Sequence, residues 1–277
     1  MINPEHYSPD RLVLFVLRSE GKMLFTEATF IGIDPTAGER PFSYAALDHE
    51  LKLLAMGSGD IDSLLAFCAG QESALVAICS PQRPNQGLMK REDYRQSLSP
   101  PPNPGRWMDF RVVDYLLRQH NIRIPQTREQ ESNCPKWMQM GFALYRRLGQ
   151  FGYKSFPLQD ARRQYLEVYP YASYAAMLDV LPLQKHSMEG RLQRQLVLYE
   201  LGLNLPDPMR FFEEITRHRL MHGILPLDRL HTAGELDALV GAYTAWKTAK
   251  QPEAIMLLGD AVEGQIVMPV PALKERY

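Results

Sequence analysis

The chain has 277 residues, 45% hydrophobic, 10% aromatic and 23% charged, an ordinary globular composition with enough apolar material for a sizeable core. Its 31 basic and 32 acidic residues give a formal charge of −1, which excludes a global electrostatic attraction to nucleic acid or an anionic membrane but leaves room for a local basic patch. No apolar run approaches the roughly 20 residues that cross a bilayer, and three cysteines without a Cys-x-x-Cys pair argue against a disulfide framework or structural zinc, so a cytoplasmic protein with reduced thiols is expected.

Ser8-Pro9-Asp10 followed by Leu12 to Leu17 reads either as a capped helix or as a buried strand. Phe30-Ile31-Gly32-Ile33-Asp34 is a short apolar run closed by Pro35-Thr36-Ala37-Gly38, predicting a strand with a carboxylate at its carboxyl end. Phe42 to Leu47 and Leu51 to Met56, separated by Asp48-His49-Glu50, extend it into an antiparallel meander. Asp60 is placed to cap a helix that carries Ile61, Leu64, Leu65 and Cys68 on one face and ends at Gly70. Leu75-Val76-Ala77-Ile78 then reads as a strand buried on both faces.

Residues 80–106 contain Pro81, Pro84, Pro100, Pro101, Pro102 and Pro104, predicting a long loop around one short segment at 90–97. Helices are expected at 108–120 and 135–150; in the second, Trp137, Met140, Leu144 and Leu148 form a stripe that reads as core packing. Gln164 to Tyr169 is a strand closed by Pro170, and helices follow at 172–180, 187–201 and Phe211 to His222. Glu235 to Lys247 is the clearest helix, with Leu236, Leu239, Val240, Tyr243 and Trp246 on one face, and Ile266-Val267-Met268-Pro269 adds a last strand. The order predicts one α/β domain with a mixed sheet and a helical insertion at about 80–155.

Acids at strand ends and at a helix facing a sheet suit divalent-metal chemistry, because hard cations take oxygen ligands, and two-metal phosphodiester hydrolysis needs several carboxylates around ions about 4 Å apart. Asp34, Glu167 and Asp237 are the candidates, and Glu167 is the most informative, since a charge within an apolar strand requires a partner or a ligand. Each also has a plainer reading: Asp34 as a turn cap, Glu167 on a solvated edge, Asp237 at the positive end of its helix.

The motifs Gly32-Ile33-Asp34, Ala77-Ile78-Cys79-Ser80-Pro81, Leu166-Glu167-Val168-Tyr169-Pro170, Lys185 with Glu189-Gly190-Arg191 and Arg194, and Glu235-Leu236-Asp237-Ala238-Leu239 with Ala242 resemble, in this order, the domain-of-unknown-function family 429. That family is regarded as predicted nucleases of ribonuclease-H-like fold. The resemblance implies a mixed five-stranded core with helices on both faces, a magnesium or manganese site at Asp34, Glu167 and Asp237, and a nucleic-acid substrate. Cys79 departs from the pattern, standing where an acid is expected, and a thiol is a poor partner for magnesium.

Lys185, Arg191 and Arg194 are candidates for neutralising a substrate phosphate, with ordinary solvated charges as the alternative. His218 and His222 have a zinc-compatible spacing but lack a third ligand and a catalytic Glu between them. Cys79-Ser80 carries no ordered His and acid pattern for a nucleophile. A non-catalytic binding or scaffold protein retaining the fold is one alternative. An actin-like phosphotransferase, suggested by the Thr- and Gly-containing turn after Asp34, is another.

Overall fold

The computed structural model describes residues 28–38 and 41–277. The segment Ser8 to Leu17, left open between helix and strand, lies outside the described residues. The sheet opens with the expected meander: β1 (Thr29–Pro35), β2 (Phe42–Leu47) and β3 (Leu53–Gly59) pair antiparallel in sequence. The third strand begins two residues later than expected because Leu51 sits in the turn with φ of 62°. Helix α1 (Ile61–Ala69) follows, and its Asp60 cap accepts the Ser63 N–H, leaving Leu64, Leu65 and Cys68 buried.

β4 (Ala74–Ile78) runs parallel to β1 and is buried along its whole length, as its unbroken apolar run predicts. The short segment expected at 90–97 is α2 (Glu92–Gln96), and the proline-rich stretch ends in an unexpected short helix, α3 (Pro104–Trp107); α4 (Val112–Gln119) lies within the helix expected at 108–120 and α5 (Lys136–Gln150) within that expected at 135–150. Pro104 is tolerated because it stands in the first turn of α3, where its missing N–H costs no hydrogen bond.

A two-residue strand β5 (Lys154–Ser155) pairs with β6 (Arg163–Glu167), which itself runs parallel to β4. Pro170 closes β6 by opening α6 (Pro170–Leu178), two residues before the expected start. α7 (Met188–Glu200) stands where predicted. The helix expected from Phe211 to His222 is instead two short ones, α8 (Arg210–Glu214) and α9 (Arg217–Met221): Ile215 is extended and Thr216 caps the second by accepting the Arg219 N–H. α10 (Ala233–Lys250) is longer than predicted, since Thr232 and Glu235 form a capping box that includes Gly234 in the helix. The hairpin of β7 (Met256–Asp260) and β8 (Gly264–Met268) completes the sheet.

Among the described residues the strands form a mixed eight-stranded sheet in the order β3-β2-β1-β4-β6-β8-β7, with β5 beside β6. On one face Phe30, Leu75, Leu166 and Val168 pack under α10, α6 and α7; on the other, Ile31, Ile33, Val76 and Ile78 pack under α1 and α5. Leu236, Leu239 and Val240 of α10 are fully buried, and each contributes roughly 1.5–3 kcal/mol of apolar burial. Among the described residues, no helix is long and apolar enough to cross a membrane.

Candidate functional site

The site is positioned by a close approach of helix to strand. A Cβ on Gly32 of β1 would overlap the backbone of Ala238 and Ala242, and one on Gly241 would press on Gly32 Cα at 3.3 Å, so α10 lies directly against β1. That contact carries Asp237, in the second turn of α10, to the carboxyl end of β1, where Asp34 stands. Both carboxyls are buried, at 7% and 5% exposure. Cys79, one residue past β4, donates its backbone N–H to Ile33 O at 2.8 Å and its thiol to Asp237 O at 3.3 Å.

Lys185 supplies the countercharge. Its Nζ lies 2.8 Å from Asp237 Oδ2, and the loop that carries it is fixed from several sides. Leu183 O accepts from Arg194 Nη1 at 2.8 Å and Leu183 N–H donates to Gln193 at 2.8 Å. Gln184 O accepts from Ser187 and packs so tightly on Gly190 that a side chain there would overlap it. Burial would lower the Lys185 ammonium, but attraction from Asp237 and Asp34 leaves it above its usual range. Burial, and then repulsion from Asp237, hold the Asp34 carboxyl well above the ordinary carboxylate value, with Lys185 opposing both. Burial, reinforced by the two acids, also pushes the Cys79 thiol up, so it is a poor thiolate nucleophile. Among the described residues, nothing donates a hydrogen bond to the Asp34 carboxyl; its interactions are electrostatic.

Asp34, Asp237, Cys79 and Lys185 line a cavity of about 580 Å³ outside the carboxyl ends of β1, β4 and β6. Open α/β sheets bind ligands in that crevice. Trp137, Tyr169 and Tyr171 form part of its wall. Trp137 therefore does more than the core packing its helical spacing suggests, although it also packs against Cys134, Met138 and Phe142.

Glu167 does not join the two aspartates. Ile33, Ile78 and Glu167 are register partners across β1, β4 and β6, so they share one face of the sheet, while Asp34, one residue past Ile33, points to the other. On its own face Glu167 is held bidentately by Arg111, at 2.8 and 3.1 Å, and accepts the Gln82 N–H at 2.8 Å. It borders a second, smaller cavity of about 210 Å³ with Gln82, Ser155 and Gln265. Its charge within an apolar strand is thus explained by a partner inside the chain. Arg111 is fully buried and also lies 3.4 Å from Asp114. Nothing in the local sequence singles Arg111 out, because its partner lies 56 residues away.

Of the three candidate phosphate-binding cations, Lys185 and Arg194 line the larger cavity. Arg194 is 2% exposed, stacks over the Tyr174 ring at 5.2 Å and serves as the clamp on the Lys185 loop. Arg191 points elsewhere, donating to His231 O at 2.7 Å and Leu230 O at 2.6 Å ahead of α10. The rings of His218 on α9 and His222 at its C-cap lie with centroids 4.3 Å apart and planes tilted by 36°, and no third ligand joins them among the described residues.

No curated protein and no solved structure matches the chain. A family model does match over residues 106–262, which include Lys185 and Asp237 and begin after Asp34 and Cys79. That stretch is more than half of the 277 residues, and the chain belongs to the family described as a protein of unknown function, DUF429.

Proposed function

We propose that this protein hydrolyses phosphodiester bonds of nucleic acid at the Asp34–Asp237 pair, with one divalent cation, magnesium or manganese, on a ribonuclease-H-like core. The observation that carries this reading is the Asp34 carboxyl, buried in a cavity wall beside a second acid with no hydrogen-bond donor from any described residue. Burying a carboxylate without donors is costly, and a cation from outside the chain would offset that cost.

The donor set suits one ion and not two. Magnesium keeps several waters and takes one or two protein carboxylates beside a substrate phosphate, which Asp34 and Asp237 match. Cys79 offers sulfur where a third hard ligand would stand, and Glu167 faces the other side of the sheet in a bidentate pair with Arg111. Among the described residues, no three His, Cys, Asp or Glu side chains are grouped to share an ion. A single-ion site therefore replaces the three-ligand cage expected from the sequence.

When bound, the cation would neutralise phosphate charge and lower the pKa of a coordinated water. Lys185, paired with Asp237 in the free protein, would then turn to a phosphate oxygen as a second positive charge. Strands β3, β2, β1, β4 and β6, mixed in direction and covered by helices on both faces, support the ribonuclease-H-like core that the family resemblance implies. The test is cleavage of end-labelled single-stranded DNA and RNA in magnesium or manganese by the wild type, Asp34→Asn and Asp237→Asn. Cleavage that both substitutions abolish, with the circular dichroism spectrum unchanged, is the expected result; absence of cleavage by the wild type with either ion overturns the reading.

A further inference from the structure

We infer that the larger cavity is a single-nucleotide subsite, in which a base stacks on the Trp137 and Tyr171 wall while its phosphate lies against Lys185, so that the substrate enters as an unpaired strand. The placement of the phosphate rests on the proposed hydrolase reading, and the inference deepens that reading by naming the form of the substrate. At about 580 Å³ the cavity falls within the roughly 300–1,000 Å³ typical of small-molecule pockets. A volume of that size encloses one nucleotide, not a double helix.

The cavity lining combines two chemistries. Asp34, Asp237 and Lys185 supply ionic groups. Pro125, Trp137 and Tyr171 make another part of the wall flat and apolar. Trp137 is half-buried and backed by Met138 and Phe142, so its indole is supported without being covered. Tyr171 is half-buried as well, 6.2 Å from the Tyr169 ring, which is fixed by donation of its hydroxyl to Arg123 O at 2.8 Å. A ligand with both a planar π face and an anionic group uses both kinds of lining, whereas a sugar phosphate uses only the ionic one. Every base has such a face, so stacking here selects for an unstacked nucleotide and tolerates its sequence.

Calorimetric titration of the full chain in magnesium buffer with AMP, CMP, GMP and UMP, and with ribose 5-phosphate, tests the subsite. Stacking predicts that the nucleotides bind about 5- to 150-fold more tightly than ribose 5-phosphate, and that they alone quench tryptophan fluorescence. Because Trp137 also packs inside the protein, Trp137→Leu and Tyr171→Leu are compared separately; at least one should bring the two ligand types to within about threefold. Equal affinities in the wild type, no nucleotide binding, or a preference that survives both substitutions would overturn the inference. A base preference without oligonucleotide cleavage would overturn the hydrolase reading alone, and cleavage without a base preference would overturn the subsite alone.

Discussion

Lys185 Nζ lies 2.8 Å from Asp237 Oδ2, while Asp34 beside them takes no hydrogen bond from any described residue, so one ammonium balances two buried acids. Two consequences follow for stability at neutral pH. Asp34→Asn should raise the unfolding midpoint, because it removes a charge that burial and Asp237 both disfavour. Lys185→Met should lower stability by about 1 kcal/mol, a modest figure because its side chain is 43% exposed. Thermal unfolding of both single variants and the double variant checks the coupling: Asp34→Asn should recover most of the Lys185→Met loss, and strictly additive effects would contradict a shared charge balance.

Among the described residues, Arg111 is the only basic side chain paired with Glu167 and Asp114, and all three are buried. Arg111→Met should therefore cost about 3–5 kcal/mol in urea denaturation, as expected when one partner of a buried ion pair is removed. Glu167→Gln should leave cation binding at Asp34 unchanged, because its carboxylate faces the other side of the sheet. Loss of cation binding in Glu167→Gln would contradict that separation.

Burial raises the Asp114 carboxyl to about 6, with Arg111 opposing the shift. A carboxyl whose folded pKa lies above its unfolded one contributes stability that is present below the unfolded value and is lost as pH rises through the folded value. The stability of the wild type should thus carry a component, on the order of 3 kcal/mol, that declines between pH 4 and pH 6. Asp114→Asn should flatten this part of the profile, and an identical slope in wild type and variant would contradict it.

Gly32 has no room for a side chain where β1 meets α10. Gly32→Ala should cost more than about 4 kcal/mol or prevent folding, because backbone on both sides would have to move. Gly38, whose Cβ would meet nothing closer than 3.9 Å among the described residues, is the control, and its substitution by Ala should change the unfolding midpoint little.

The parts of the fold that were legible in the sequence carry their signal locally. The meander from Phe30 to Met56, the fully buried β4 and the Asp60 cap of α1 each follow from a short run of apolar or capping residues. The break at Ile215-Thr216 was hidden because both flanking segments have helical composition, and β7 was hidden because its partner β8 had to be in place to define it. At the site, the family pattern put Asp34 and Asp237 in one set, and the physical reason for their meeting is the Gly32–Gly241 contact. In the sequence Glu167 groups with them, because a lone charge in an apolar strand looks the same whether a ligand or a distant arginine satisfies it. Register alone separates the cases: Glu167 aligns with Ile33, one position away from Asp34.

The proposed hydrolysis requires that Asp34 and Asp237 together hold a divalent cation. Isothermal titration of magnesium and then manganese into the wild type and into Asp34→Asn/Asp237→Asn, with and without a single-stranded oligonucleotide, tests it most directly. One ion per chain is expected, bound more tightly with oligonucleotide present and lost in the double variant. Equal binding by wild type and double variant, or no binding to the wild type even with oligonucleotide, would contradict it.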